Sequence, residues 1–160
     1  TLHRPSNVDN KDQLINLIDL LNSIAEKRKV LFPIHPRTKN NLRQYDLIGS
    51  INDNLILTDP IGYIDFLALT SNAELILTDS GGIQEESTYL GIQCITLRTT
   101  TERPITVEVG TNQLLGTDLD KAKDAALHIL SGNIKSGIVP ELWDGKAADR
   151  IAEIIVNKIS

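Results

Sequence analysis

The sequence predicts an α/β fold, a Rossmann-like doubly wound parallel sheet formed as one domain over residues 1–160. Two observations predict it. Apolar runs of strand length alternate with segments of helical periodicity along the whole chain. Those strand runs are near-continuous Leu, Ile and Val with little in–out alternation, as expected of strands covered by helices on both faces.

In order, Thr1 to His3 reads as the end of a strand, and Arg4-Pro5-Ser6-Asn7 as a turn. Asp9 or Asn10 caps a helix from Lys11 to Glu26, whose Leu14, Leu17, Ile18 and Leu21 share one face. Lys29 to Ile34 is a strand, with Pro33 awkward in a central position. A polar helix follows over Arg37 to Tyr45, then a strand from Asn54 to Leu57 and a helix from Tyr63 to Thr70. Leu75 to Gly91 is the central unit: a buried strand, Thr78-Asp79 at its end, the turn Ser80-Gly81-Gly82, and a helix stopping at Gly91. Gln93 to Leu97 is the next strand, and Pro104 opens a short helix ended by Gly110. Thr111 to Leu115 is a strand. Asp118 or Asp120 starts a helix closed by Gly132, and a last amphipathic helix carries Ala148, Ile151, Ile154 and Ile155 in one stripe. Five or six strands result.

Ligands of such sheets sit beyond the carboxyl ends of the strands. His3, His35, Asp59, the Asp79–Gly82 turn and Arg98 to Arg103 all lie at those ends, so they are expected on one edge. Unpaired amides at a helix start, with the dipole behind them, hold phosphate. Glu86, one turn beyond Gly82, is placed to accept from a sugar diol. Diphosphate at Ser80, Gly81 and Gly82 with ribose at Glu86 describes a nucleotide site. The same residues also fit an ordinary αβ connection with solvated charge at Glu85 and Glu86.

His3 and Arg4 form a pair that contacts a diphosphate or serves acid–base chemistry, or else His3 is simply held in a loop. His35 reads as structural. Arg98 or Arg103 offers a bidentate fork to phosphate, or is a loop arginine paired with Glu102. Phe66 or Tyr63 walls a nucleobase or belongs to the core. Cys94 is a core residue, and three distant histidines with one cysteine give no metal spacing.

The net charge of −5 and the absence of a Lys/Arg run argue against nucleic acid and anionic membranes as partners. No apolar run approaches the roughly 18 residues of a membrane span, and a lone cysteine is compatible with the cytoplasm. With no methionine and a start at Thr1, the chain is expected to be a piece of a longer protein.

The strings Thr1-Leu2-His3-Arg4-Pro5-Ser6-Asn7-Val8-Asp9, His35-Pro36-Arg37, Asp79-Ser80-Gly81-Gly82-Ile83-Gln84-Glu85-Glu86 and Thr100-Thr101-Glu102-Arg103-Pro104, continued by Gly110-Thr111-Asn112 and Gly116-Thr117-Asp118, resemble the C-terminal half of the non-hydrolysing UDP-N-acetylglucosamine 2-epimerases. The resemblance implies half of a two-domain GT-B arrangement with UDP-sugar in the cleft and no cofactor. It implies interconversion of UDP-GlcNAc and UDP-ManNAc by elimination of UDP to 2-acetamidoglucal and re-addition. By resemblance His3 contacts the diphosphate and assists catalysis; Ser80, Gly81 and Gly82 bind phosphate; Glu86 binds ribose, Phe66 the uracil region, and Arg103 the phosphates or neighbouring acids. Ser6 departs from the family's frequent Glu and carries no role. The implied partners are an absent N-terminal domain, which supplies the catalytic acids, and a second copy in a homodimer. The fragment alone is expected to be inactive and to expose apolar surface along its last helix. Alternatives are the hydrolysing relative, a GT-B glycosyltransferase donor domain, and a non-catalytic flavodoxin-like domain.

Overall fold

The computed structural model describes residues 1–159. Its longest helix, α2 (Lys11–Ala25), starts where the Asn10 side chain accepts from the Gln13 amide, so Asn10 and not Asp9 is the cap. Its Leu14, Leu17, Ile18 and Leu21 are almost wholly buried. Each such side chain contributes about 1.5–3 kcal/mol on burial. Ahead of it, Arg4 to Asn7 is not a simple turn but part of a one-turn helix, α1 (Pro5–Val8). Pro5 fixes the first helical φ and lacks the N–H that would be orphaned there, while Arg4 O accepts from the Asn7 and Val8 amides.

Next come β1 (Val30–Pro33), α3 (Pro36–Gln44), a 3-10 turn at Ile48–Ser50, β2 (Leu55–Thr58) and α4 (Tyr63–Ser71). Then follow β3 (Leu75–Thr78), α5 (Gly81–Leu90), β4 (Gln93–Thr96), α6 (Pro104–Glu108), β5 (Asn112–Leu114), α7 (Leu119–Leu130) and α8 (Ala147–Ile159). Every strand pairing is parallel, as the apolar runs predict. The described strands form two sheets, β1-β2 and β3-β4-β5, divided by a groove between β1 and β3. Pro33 is tolerated because it is the last residue of β1, opposite Thr58.

Local punctuation falls where the chemistry requires. Gly91 ends α5 in the left-handed region at φ 71°, and the Asp118 side chain caps α7 by accepting from the Lys121 amide. One core joins α2, α7, β1 and β4 through Leu14, Leu17, Phe32, Ile95, Leu97 and Ala126. Cys94 of β4 is also fully buried, and burial pushes its thiol pKa up. The stretch after α7 is tied down by Lys135, whose ammonium donates to the carbonyls of Val107 and Asn112. By contrast α8 leaves Ile151, Ile154 and Ile155 at least half exposed, as expected for its apolar stripe. No described helix is long and apolar enough to cross a membrane.

Gly110 supplies a stability test. A Cβ there would sit 2.6 Å from the Thr106 carbonyl oxygen and from Thr88 Cγ2. Gly110→Ala is expected to cost about 1–3 kcal/mol in urea unfolding. Gly49→Ala, with open space around it, is the matched control and should stay within about 0.5 kcal/mol.

Candidate functional site

The carboxyl ends of the strands gather most of the expected residues around Asp79, which is fully buried. Its carboxylate accepts from the backbone amides of His3 (3.0 Å) and Arg4 (2.9 Å) and from Asn7 Nδ2 (3.0 Å). His3 Nδ1 lies 3.1 Å from Asp79 Oδ1, while the imidazole itself is half exposed. A hydrogen bond through Nδ1 leaves Nε2 directed away from the carboxylate, available to a ligand. Arg4 Nε donates to the Asp79 carbonyl, so Arg4 and His3 are fixed to the strand end that feeds the glycine turn. His35 is nearby, its ring centroid 6.5 Å from that of His3. Its Nδ1 accepts from the Arg37 amide and caps α3, the structural role read from the sequence.

The start of α5 is uncapped. Ser80 makes no side-chain cap bond, and its own amide donates to Thr78 Oγ1, leaving the first-turn amides without an intrahelical partner. Over Gly82 there is open space, and a Cβ on Gly81 would meet only Glu102 Oε2, at 3.9 Å. The absence of side chains therefore exposes backbone N–H groups at the positive end of a ten-residue helix.

The two arginines are accounted for differently. Arg98 forms a bidentate pair with Glu102, at 2.8 and 2.6 Å, and this bonding pulls the Glu102 carboxyl down to about 2. Glu102 is therefore a permanent anion whose charge Arg98 largely offsets. Arg103 instead has its Nε 2.7 Å from Glu85 Oε1 on α5, leaving it close to the glycine turn but not committed to Glu102's carboxylate. That is a half-exposed pair, which a phosphate can outcompete.

Glu86 lies one turn beyond Gly82 and lines a hollow of about 430 Å³ with Tyr63, Leu67, Tyr89 and Trp143. Phe66 does not share this hollow. It borders the groove between β1 and β3, about 100° round α4 from Leu67. Asp59 also stands apart, exposed and paired with Lys39 at 2.7 Å.

Three functional groups escaped the sequence reading. Asp79 was placed on the edge but not as its hub. Asn7 donates to both Asp79 and the Leu97 carbonyl. Gln84, fully buried, accepts from Thr101 Oγ1 (2.6 Å) and donates to the Ser80 carbonyl (3.2 Å), locking the Thr-Glu-Arg-Pro loop to the glycine turn. An amide between two glycines and a Glu-Glu pair was the available signal.

The family described as UDP-N-acetylglucosamine 2-epimerase matches residues 1–156. The UDP-N-acetylglucosamine 2-epimerase of Methanocaldococcus jannaschii is 45% identical over 97% of this chain and 43% of its own length. The UDP-2,3-diacetamido-2,3-dideoxy-D-glucuronate 2-epimerase of Pseudomonas aeruginosa is 34% identical over 98% and 43%. The M. jannaschii crystal structure in complex with UDP-GlcNAc and UDP superposes with a TM-score of 0.80 at 43% identity, covering 98% of this chain and 44% of that one. The chain thus spans less than half the length of these relatives, and its architecture is the Rossmann-like half expected of a GT-B enzyme. The chain belongs to the UDP-N-acetylglucosamine 2-epimerase family.

Proposed function

We propose that this chain is the UDP-binding, C-terminal half of a cytoplasmic UDP-N-acetylglucosamine 2-epimerase that interconverts UDP-GlcNAc and UDP-ManNAc for envelope polysaccharide precursors. The observation that carries the proposal is the uncapped, side-chain-free start of α5, set between the His3–Asp79 pair and Arg103, with Glu86 one turn further on. The diphosphate docks on the amides of Gly81 and Gly82 and the Ser80 hydroxyl, flanked by Arg4 and Arg103. Glu86 accepts from the ribose hydroxyls, and the base lies against α4, where Tyr63 and not Phe66 is the ring that shares the Glu86 hollow.

The chemistry divides accordingly. Elimination breaks the bond between C1 of the sugar and the diphosphate oxygen, so negative charge develops on the departing UDP. Donors already aimed at that position stabilise the charge without reorganising. His3, oriented through Nδ1, and the two arginines supply them. Removal and return of the C2 proton falls to acids of the partner domain, and the full-length protein is a homodimer. The P. aeruginosa relative's name also describes a UDP-sugar and a 2-epimerase, so this half sets the nucleotide end and leaves the sugar to the other domain.

Trp143, the only tryptophan, lines the Glu86 hollow and reports occupancy. UDP is expected to change its fluorescence, UMP to bind more weakly, and FMN not to bind, with no epimerisation by the 160-residue chain. Binding of FMN in preference to UDP overturns the reading. Gly82→Ala sharpens the test. Beyond its chain neighbours and its own helix backbone the added Cβ meets no protein atom within 4 Å, so the melting temperature should hold, yet UDP affinity should fall at least about tenfold as the methyl intrudes on the phosphate. Equal affinity in both proteins would place the diphosphate elsewhere.

A further inference from the structure

We propose that Asn112 is a positioning residue for the diphosphate clamp: through Thr106 and Gln84 it fixes where Arg103 stands relative to the Ser80-Gly81-Gly82 turn. The inference rests on the nucleotide reading of that turn. It goes beyond that reading by giving a role to a side chain set behind the clamp.

The Gly110-Thr111-Asn112 string belongs to the family resemblance, yet none of its residues lines the Glu86 hollow. Its first two residues place the third. Gly110 lets the end of α6 lie against α5, since a Cβ there would sit 2.6 Å from both the Thr106 carbonyl oxygen and Thr88 Cγ2. Thr111 Oγ1 donates to the Ile92 carbonyl at 2.6 Å, holding the entry of β5 to that of β4. Asn112 then begins β5 opposite Cys94, fully buried.

There its side-chain amide is wholly committed. Oδ1 accepts from Thr96 Oγ1 at 2.7 Å, while Nδ2 donates to Thr106 Oγ1 at 3.1 Å and to Gln84 Oε1 at 3.3 Å. Thr106 Oγ1 in turn donates to the Arg103 carbonyl at 2.8 Å. Gln84 Oε1 also accepts from Thr101 Oγ1 at 2.6 Å, and that hydroxyl accepts from the Arg103 amide at 2.9 Å. Both main-chain polar groups of Arg103 are therefore held by hydroxyls that lead back to Asn112. Because Gln84 Nε2 donates to the Ser80 carbonyl, the same amide is tied to the glycine turn.

The donors admit one orientation of the Asn112 amide. Turned over, Oδ1 would face the Gln84 carbonyl oxygen, and the single Thr106 proton would have to leave the Arg103 carbonyl. Thr96, Gln84 and Thr106 are fully buried as well, so water does not compete for these bonds and each lost partner strands another. A change at Asn112 is thus passed to Arg103, whose guanidinium emerges half exposed beside Glu85. A misplacement of about 1 Å is enough to cost such a clamp much of its effect.

The test is a double-mutant cycle read by Trp143 fluorescence with two ligands, UDP and uridine. Asn112→Leu keeps the branched shape and removes every hydrogen bond of the amide. It is expected to weaken UDP binding at least about tenfold and to leave uridine, which has no phosphate, within about twofold. Arg103→Ala should weaken UDP binding too, and in that background Asn112→Leu should cost less than about a further twofold. A side chain that merely supports the fold would weaken both ligands together, or add its full effect to that of Arg103→Ala; either result overturns the proposal. Should Asn112→Leu fail to fold, Thr106→Val and Thr106→Ser decide. The valine must weaken UDP and spare uridine, and the serine, which keeps the hydroxyl, must restore UDP; equal affinities in the two refute the role. Loss of UDP affinity in Arg103→Ala beside a parent-like Asn112→Leu removes Asn112 and leaves the nucleotide reading standing. UDP affinity unmoved by Arg103→Ala sinks the clamp itself, and this inference with it.

Discussion

Asp79→Ala is expected to destabilise the domain by about 3–5 kcal/mol and to lower its melting temperature by about 10 °C. The carboxylate is fully buried and accepts from two backbone amides and one side-chain amide, with the His3 ring as a further partner. Alanine removes the acceptor while the donors stay in place. Hydrogen bonds to a charged group are each worth about 1.5–3 kcal/mol, and stranded donors add their desolvation cost. Because those donors belong to His3, Arg4 and Asn7, the same change frees the whole segment at the ligand edge, and UDP affinity should fall with stability. Asp59→Ala is the control. Its carboxyl is exposed and held below the usual range by hydrogen bonding from Lys39, the kind of surface pair worth little. Urea unfolding that finds Asp79→Ala within about 1 kcal/mol of the parent would deny Asp79 the role of hub.

What the sequence disclosed, and what it withheld, follows the range of the interactions involved. The Gly91 helix stop and the Asn10 and Asp118 caps depend on neighbours within a few residues, so they were legible, down to a choice between two adjacent candidates. The parallel sheet was legible because burial on both faces leaves no polar alternation to hide it. The placement of His3, Arg4 and the glycine turn on one edge followed from topology alone. Arg4 to Asn7 was misjudged because Pro5 serves a turn and a helix start equally well, and contacts with Asp79 and Leu97 settle the matter. Tertiary partnerships were beyond reach. The setting of Gln84 between two glycines and a Glu-Glu pair is suggestive but does not name the two loops it locks, and nothing local says that Arg103 reaches back to Glu85. Likewise Tyr63 and Phe66 lie three residues apart on α4, and only packing reveals that one lines the Glu86 hollow and the other the groove.

The 160-residue chain beginning at Thr1 should become more stable as pH rises from about 6 to about 8, by up to about 2.7 kcal/mol from one group. That group is the Thr1 amine, which burial pulls from 8.0 to about 6. Between those values the unfolded chain holds the proton and the folded chain does not, so the unfolded state binds more protons and each rise in pH favours folding. Above pH 8 the amine is neutral in both states and contributes no penalty. Below pH 6 it is charged in both, and the full penalty of a buried ammonium applies. The Asp79 carboxylate acts in the opposite direction, favouring the cation, yet desolvation outweighs it. The slope for the parent alone sums every group that changes its proton binding on unfolding, so it does not isolate the amine. Acetylating the amine resolves it, since the amide N–H can still donate to Leu77 O but carries no charge at any pH. The difference in unfolding free energy between the two forms should grow from near zero at pH 8.5 to about 2.7 kcal/mol at pH 5.5, with the acetylated chain the more stable. A pH-independent difference would mean that water reaches the amine, and that the groove beside it is wide enough to hydrate a cation.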